Sequence, residues 1–265
     1  MGLFTGFVED LFFHADSLQY WKPEHYGLRY VPFKAQTALG NTIDGIVLLP
    51  KKQENVPNRT VVYFNPAYFN REYCLPQVAF LAQAGFSVAL FDYSGCGFST
   101  GNVSLSGLLA DAEAVFDWLD HSEFQKEQYV LFGQGLGGDA AMQYFHAHRN
   151  RVSGIVLESV YDSRRGWVKD RWGPVIGDIA AKSIECAAIN PGEALSQAKV
   201  PVVLIYPSED IHVRKSERQR LIEHAPRKSA VWEAKGLRFL GVFGAQRNAW
   251  HDDLIKFIAK LAGKD

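Results

Sequence analysis

The run Tyr129-Val130-Leu131-Phe132, then Gly133-Gln134-Gly135-Leu136-Gly137-Gly138, then a helical pattern from Asp139 to His148, constrains this chain more than any other stretch. A short apolar run, a glycine-rich turn and a helix describe one unit of an open α/β sheet, with the turn at the carboxyl edge where such sheets gather their chemistry. Two patterns overlay the turn. Gly133, Gly135 and Gly138 fit G-x-G-x-x-G, which brings a pyrophosphate to a helix N-terminus, and the next strand ends in Glu158, near the place of an acid that would hold a ribose hydroxyl. The same residues fit G-x-S-x-G, the sharp turn that presents a nucleophilic serine, with Gly135 in the serine's place.

The rest of the chain predicts which sheet this is. Apolar runs alternate with helical patterns, which implies an α/β protein with a mostly parallel central sheet and helices on both faces. Residues 28–34 and 42–49 read as an opening antiparallel pair. Buried strands are expected over 60–65, 86–92, 129–132, 155–157 and 200–206, with further candidates over 229–232 and 238–243. Helices are expected over 72–83, 105–119 (capped by Ser104 or Ser106) and 250–261. Residues 161–198 lack periodicity and read as an irregular cap-like insertion in one domain spanning 1–265. The dinucleotide pattern normally opens its domain, and here several strands precede it.

Composition narrows the chemistry. A net charge of −1 gives no bulk attraction to nucleic acid or anionic lipid. Cys74, Cys96 and Cys186 lack metal-ligand spacing, and His146 and His148 do not share a helix face, so neither a metal nor a disulfide framework is expected. His14, His25 and His121 are scattered. Cys74 and Cys96 are expected to be buried. No apolar run approaches the length of a membrane span. The start, Met1 to Asp10, carries acids and lacks a basic n-region, so it makes a poor signal peptide and a cytoplasmic protein is expected.

Four segments resemble the α/β-hydrolase superfamily, in the branch of small serine esterases with little cap. Val61 to Ala67 resembles the strand and HG-type turn that supply one oxyanion amide. Phe91-Asp92-Tyr93-Ser94-Gly95-Cys96-Gly97-Phe98-Ser99 resembles D-x-R-G-x-G-x-S. Gly133 to Gly138 resembles G-Q-S-L-G-G, and Pro201 to Tyr206 with Ser208-Glu209-Asp210 resembles the strand and loop that present the triad acid.

The resemblance implies Asp210 as acid and the amides of Ala67 and Leu136 as oxyanion donors. It also implies Gly135 at the nucleophile position and Arg238 or Arg247 at the base position, depending on the alignment. Glycine carries no attacking atom, and arginine stays protonated and accepts no proton. The expectation is a pseudoenzyme without cofactor, binding a small molecule or a protein in the former cleft, with Asp210 paired to an arginine. The alternatives are an ester or amide hydrolase whose triad is engineered or rearranged around Asp210 and His251, and a dinucleotide-binding protein. The basic run of Arg164, Arg165 and Lys169 to Arg171, beside Trp167 and Trp172, reads as a solvated surface over the pocket mouth or a partner contact.

Overall fold

The computed structural model describes residues 11–51, 58–184, 186–244, 246 and 248–261. Eight strands form one sheet: β2 (Tyr30–Gln36), β3 (Thr42–Leu48), β4 (Thr60–Phe64), β6 (Ser87–Phe91), β7 (Tyr129–Gln134), β8 (Val152–Glu158), β9 (Val202–Pro207) and β10 (Ala230–Ala234). Their spatial order is β10-β9-β8-β7-β4-β6-β3-β2. The β2–β3 pair is antiparallel and the sheet mostly parallel, as the sequence predicts; the β3–β6 pair is antiparallel as well, and the other pairs are parallel.

The central strands are apolar because both faces are covered. Along β4 and β7, Val61, Tyr63, Val130 and Phe132 enter one core cluster, while Val62, Phe64, Tyr129 and Leu131 enter the other. That is the two-residue period of a strand packed between two helical layers. Helices α3 (Leu108–Asp120) and α4 (Leu136–Ala147) pack on one face. On the other lie α2 (Ala79–Gln83) and α9 (Ala249–Lys260), the latter through Leu254 and Ile258.

Several elements differ from expectation, each for a local reason. The helix expected over 72–83 is split into α1 (Arg71–Cys74), a 3-10 turn at Leu75–Gln77 that carries Pro76 in its first turn, and α2. Proline lacks the amide that would continue the ladder. Helix α3 starts at Leu108 after Gly107, because the Ser104 and Ser106 hydroxyls bond each other at 2.8 Å instead of capping. No strand forms over 238–243. That segment is a turn in which Leu240 holds φ 59. A small sheet pairs β1 (His14–Ala15) with β5 (Tyr68–Phe69).

The stretch 161–198 is helical rather than irregular. It holds α5 (Arg164–Trp172), α6 (Pro174–Lys182) and α7 (Pro191–Leu195). Ser163 caps α5, its hydroxyl accepting from the Gly166 amide at 3.1 Å. The basic run is also corrected here, since Arg164 is fully buried. Its guanidinium meets Asp139 of α4 at 2.5 Å and donates to the carbonyls of Ala188 and Ile189, while the Tyr161 hydroxyl donates to the same carboxylate at 2.7 Å. The start of α5 is thereby locked to α4. Among the described residues, no helix is long and apolar enough to cross a membrane.

Candidate active site

The turn between β7 and α4 places Gly135 at φ 53 and ψ −122. Its amide donates to the Glu158 carbonyl at 2.9 Å, and its carbonyl accepts from Gly138 at 3.0 Å. This is a sparsely populated backbone region that a side chain enters only with strain. Two residues on, Gly137 brings α4 against β4: a Cβ there would lie 1.9 Å from the Phe64 carbonyl oxygen. The turn is therefore fixed by packing on both sides.

Above Gly135 there is little room. A Cβ at this position would stand 3.2 Å from Cζ of Phe239 and 3.3 Å from Cβ of Pro66. The cavity bordered by Pro66, Tyr68, Gly135, Leu136, His212 and Phe239 has a volume of about 30 Å³, roughly the space of one water molecule. The open cleft that the sequence reading assumes is filled by aromatic rings. Tyr68 and His212 both pack against Phe239, with centroids 5.7 Å and 4.8 Å away.

The turn after β4, expected to supply an oxyanion amide, is bonded internally. Ala67 holds φ 55, and its amide donates to Asn65 Oδ1 at 2.8 Å. Asn65 in turn donates from Nδ2 to the Phe91 carbonyl at 2.6 Å, and the Tyr93 hydroxyl donates to the Asn65 carbonyl at 2.9 Å. An amide already bonded to a buried side chain is not presented to an anion, so Ala67 does not serve as the sequence suggested. Leu136, as the first residue of α4, has an amide without an intrahelical acceptor.

Asp210 follows β9 and is buried. Its Oδ1 accepts from the amides of His212 at 2.7 Å and Val213 at 3.3 Å, while Oδ2 is buried with no hydrogen-bond partner. Among the described residues, no arginine side chain pairs with the carboxylate. Arg218 donates instead to the Asp210 backbone carbonyl at 2.9 Å, and Arg238 is 84% exposed beside Glu209. Arg247 lies outside the described residues. His251 stands in a capping box with Asn248 at the start of α9, its ring edge-on to Phe80 and Phe243. It is not among the residues bordering the cavity over Gly135.

Glu158 cannot meet a ribose. It is fully buried, and Gln134 donates to its Oε2 at 2.6 Å, while Oε1 has no partner. Burial pushes its carboxyl up to about 8, partly offset by the Gln134 bond. Gln134 also donates to Gln77 at 3.1 Å and accepts from the Tyr63 hydroxyl, completing a buried polar cluster beneath the turn. Asp92, from the D-x-R-G-x-G-x-S-like segment, likewise acts structurally. It accepts from the Arg71 amide at 2.7 Å, and burial raises its carboxyl to about 7 against the pull of Arg71. Cys74 and Cys96 are buried as expected, and burial raises both thiols, Cys74 to about 12.

Sequence reasoning missed His212, Tyr68 and Phe239. His212 Nδ1 lies 3.2 Å from the Tyr68 hydroxyl, and Trp167 Nε1 donates to the His212 carbonyl at 2.7 Å. Burial lowers the His212 pKa, with Asp210 opposing, so its imidazole is neutral near pH 7. Its place two residues after the acid was the available signal. Phe239 gave none, because it follows Arg238 in a segment read as a strand.

Comparison with known proteins agrees with this architecture. A sequence model of the serine aminopeptidase S33 family matches residues 72–169. Protein bem46 of Schizosaccharomyces pombe is 25% identical over 191 residues, covering 71% of this chain and 63% of its own length. The uncharacterized protein YfhR of Salmonella typhimurium is 27% identical over 218 residues, covering 75% of this chain and 70% of its own. A Pyrococcus furiosus esterase, Pf2001, superposes with a TM-score of 0.74 at 16% identity over 94% of this chain and 99% of its own. With a β7–α4 turn of elbow geometry set in a mostly parallel sheet, the chain has the α/β-hydrolase fold, and its residues 72–169 match the serine aminopeptidase S33 model.

Proposed function

We propose that this chain is a non-catalytic α/β-hydrolase-fold protein, a pseudoenzyme whose role is binding. One observation carries the reading: where the attacking atom of a serine hydrolase would stand there is Gly135, and the ring of Phe239 fills the space above it. The Ala67 amide spent on Asn65 and the unpartnered Oδ2 of Asp210 support it. Losing the nucleophile of a serine hydrolase costs about a millionfold, and roughly a thousandfold acceleration over water is all that binding and oxyanion donors retain. A small molecule or peptide that enters the former cleft must displace Phe239, which sits on a half-buried turn.

A second reading has one observation in its favour. His212, whose pKa burial lowers, borders the same cavity as Gly135 and follows Asp210 by two residues, so a rearranged hydrolytic centre would be built on His212 rather than on His251. The purified protein tests both. We expect no turnover of p-nitrophenyl acetate beyond the residual level, and no fluorophosphonate labelling of either the native protein or Gly135→Ser. Turnover at about 1 s⁻¹ or faster, in the ordinary enzymatic range, would overturn the proposal. Its loss in His212→Ala would establish the rearranged centre.

A further inference from the structure

Helix α6 is built inside out. Its small residues face the fold. Ala180 and Ala181 enter the core, and Gly177 lies so close to α5 that a Cβ would stand 2.6 Å from the Lys169 carbonyl oxygen. Its large aliphatic residues face solvent: Val175, Ile176 and Ile179 are 73%, 65% and 64% exposed. A helix on the surface of a water-soluble monomer normally points these residues the other way, and a contiguous exposed apolar strip marks a contact surface. Ile211, 84% exposed, borders a pocket with Trp172, Arg171 and Arg214 at the end of α5, the helix that leads into α6.

Charge selects the occupant. Lys182 stands seven residues after Val175, on the same helical face, and Arg171 lies in the last turn of α5, beside Trp172 and Arg214. Arg171, Lys182 and Arg214 enter no ion pair among the described residues. The acids of the hairpin are already engaged: Asp178 with Lys169 at 2.8 Å, and Asp170 with Ser216 and Arg220. The strip is therefore apolar with a cationic rim. Two copies of this chain docked by a two-fold axis would bring the like charges of that rim towards each other. An anionic bilayer offers the complement, acyl chains beneath a negative headgroup layer.

We propose that the α5–α6 hairpin is a peripheral membrane-docking surface, which seats Val175, Ile176, Ile179 and Ile211 at the headgroup boundary of an anionic leaflet. This is separate from the proposed loss of catalysis and does not depend on it. The test is sedimentation of the full chain with vesicles of phosphatidylcholine, with and without phosphatidylserine. We expect binding to the phosphatidylserine vesicles, weakened by salt. Ile176→Asp/Ile179→Asp is expected to lose about tenfold or more in affinity. Lys182→Ala is expected to lose about fivefold, in line with the value of one cation at a charged surface. Because these side chains are exposed, thermal unfolding of each variant should match the native protein. Absence of vesicle binding, equal binding to neutral vesicles, or binding unchanged in the aspartate variant would overturn the proposal. So would light scattering that reports a dimer broken by Ile179→Asp, since a second copy would then cover the strip.

Discussion

The crowding at the turn can be measured through stability. Replacing Gly135 by alanine adds one methyl group at φ 53 and ψ −122, a region that costs a non-glycine residue of order 1–3 kcal/mol. The same methyl meets Phe239 Cζ at 3.2 Å and Pro66 Cβ at 3.3 Å. Contacts this tight require the ring to shift by a few tenths of an ångström. Overpacking by one carbon costs about 1–3 kcal/mol in a rigid core, and the lower end applies here because Phe239 sits on a half-buried turn. The sum is about 2–4 kcal/mol. At roughly 2–4 °C per kcal/mol for a domain of this size, Tm should fall by about 5–15 °C.

A double-mutant cycle separates the two contributions. In a Phe239→Ala background the steric part disappears and only backbone strain remains, so the coupling between the two sites should be at least about 0.5 kcal/mol. The assay is scanning calorimetry or urea unfolding of the four proteins. An unchanged Tm for Gly135→Ala would refute the strained turn. Strictly additive effects would refute the plugging of the nucleophile position by Phe239.

Two further outcomes follow from the buried polar groups. The Glu158 carboxyl is raised from its ordinary value of 4.5 to about 8 by burial, so its contribution to stability is complete below about pH 4.5 and is lost as pH rises through 8. Glu158→Gln should therefore flatten the pH dependence of the unfolding free energy, measured by urea, by up to about 1.4 kcal/mol per pH unit between pH 5 and 8. A residual slope of the same sign should remain from Asp92, raised to about 7. Asn65→Ala strands the Ala67 amide and the Phe91 carbonyl and should cost about 1–3 kcal/mol in urea unfolding.

The sheet was legible because its signal is long and local. Residues 60–64, 87–91 and 202–207 are apolar runs covered on both faces, and no other element fits such a pattern at that length. The turn at Gly133–Gly138 was legible for the same reason: glycine leaves few conformations open to a strand–helix junction. The cap was not. Helix α5, Arg-Arg-Gly-Trp-Val-Lys-Asp-Arg-Trp, is polar nearly all round, and its stability comes from Arg164 reaching Asp139, a contact between residues 25 apart in sequence. The site failed for a similar reason. Nothing in the order of residues reports that Phe239 turns onto Gly135, or that Asn65 consumes the Ala67 amide, because each depends on where a loop returns. The aliphatic face of α6 was missed because its small inward residues interrupt the expected stripe.

These features are mechanically linked. The buried Arg164–Asp139 pair joins the start of α5 to α4, four residues beyond Gly135. Removing one member of such a pair leaves a buried charge uncompensated, which costs several kcal/mol, so the start of α5 holds its position. The same helix carries Trp167, which borders the cavity over Gly135 and clamps the His212 backbone at 2.7 Å. Its C-terminal end runs into Arg171, Trp172 and the exposed strip of α6. A surface that engages α6 therefore loads a helix anchored at one end and bonded to the His212 backbone at its middle. Such a load reaches the cavity first through Trp167 and His212, and only then through Phe239, which packs on His212.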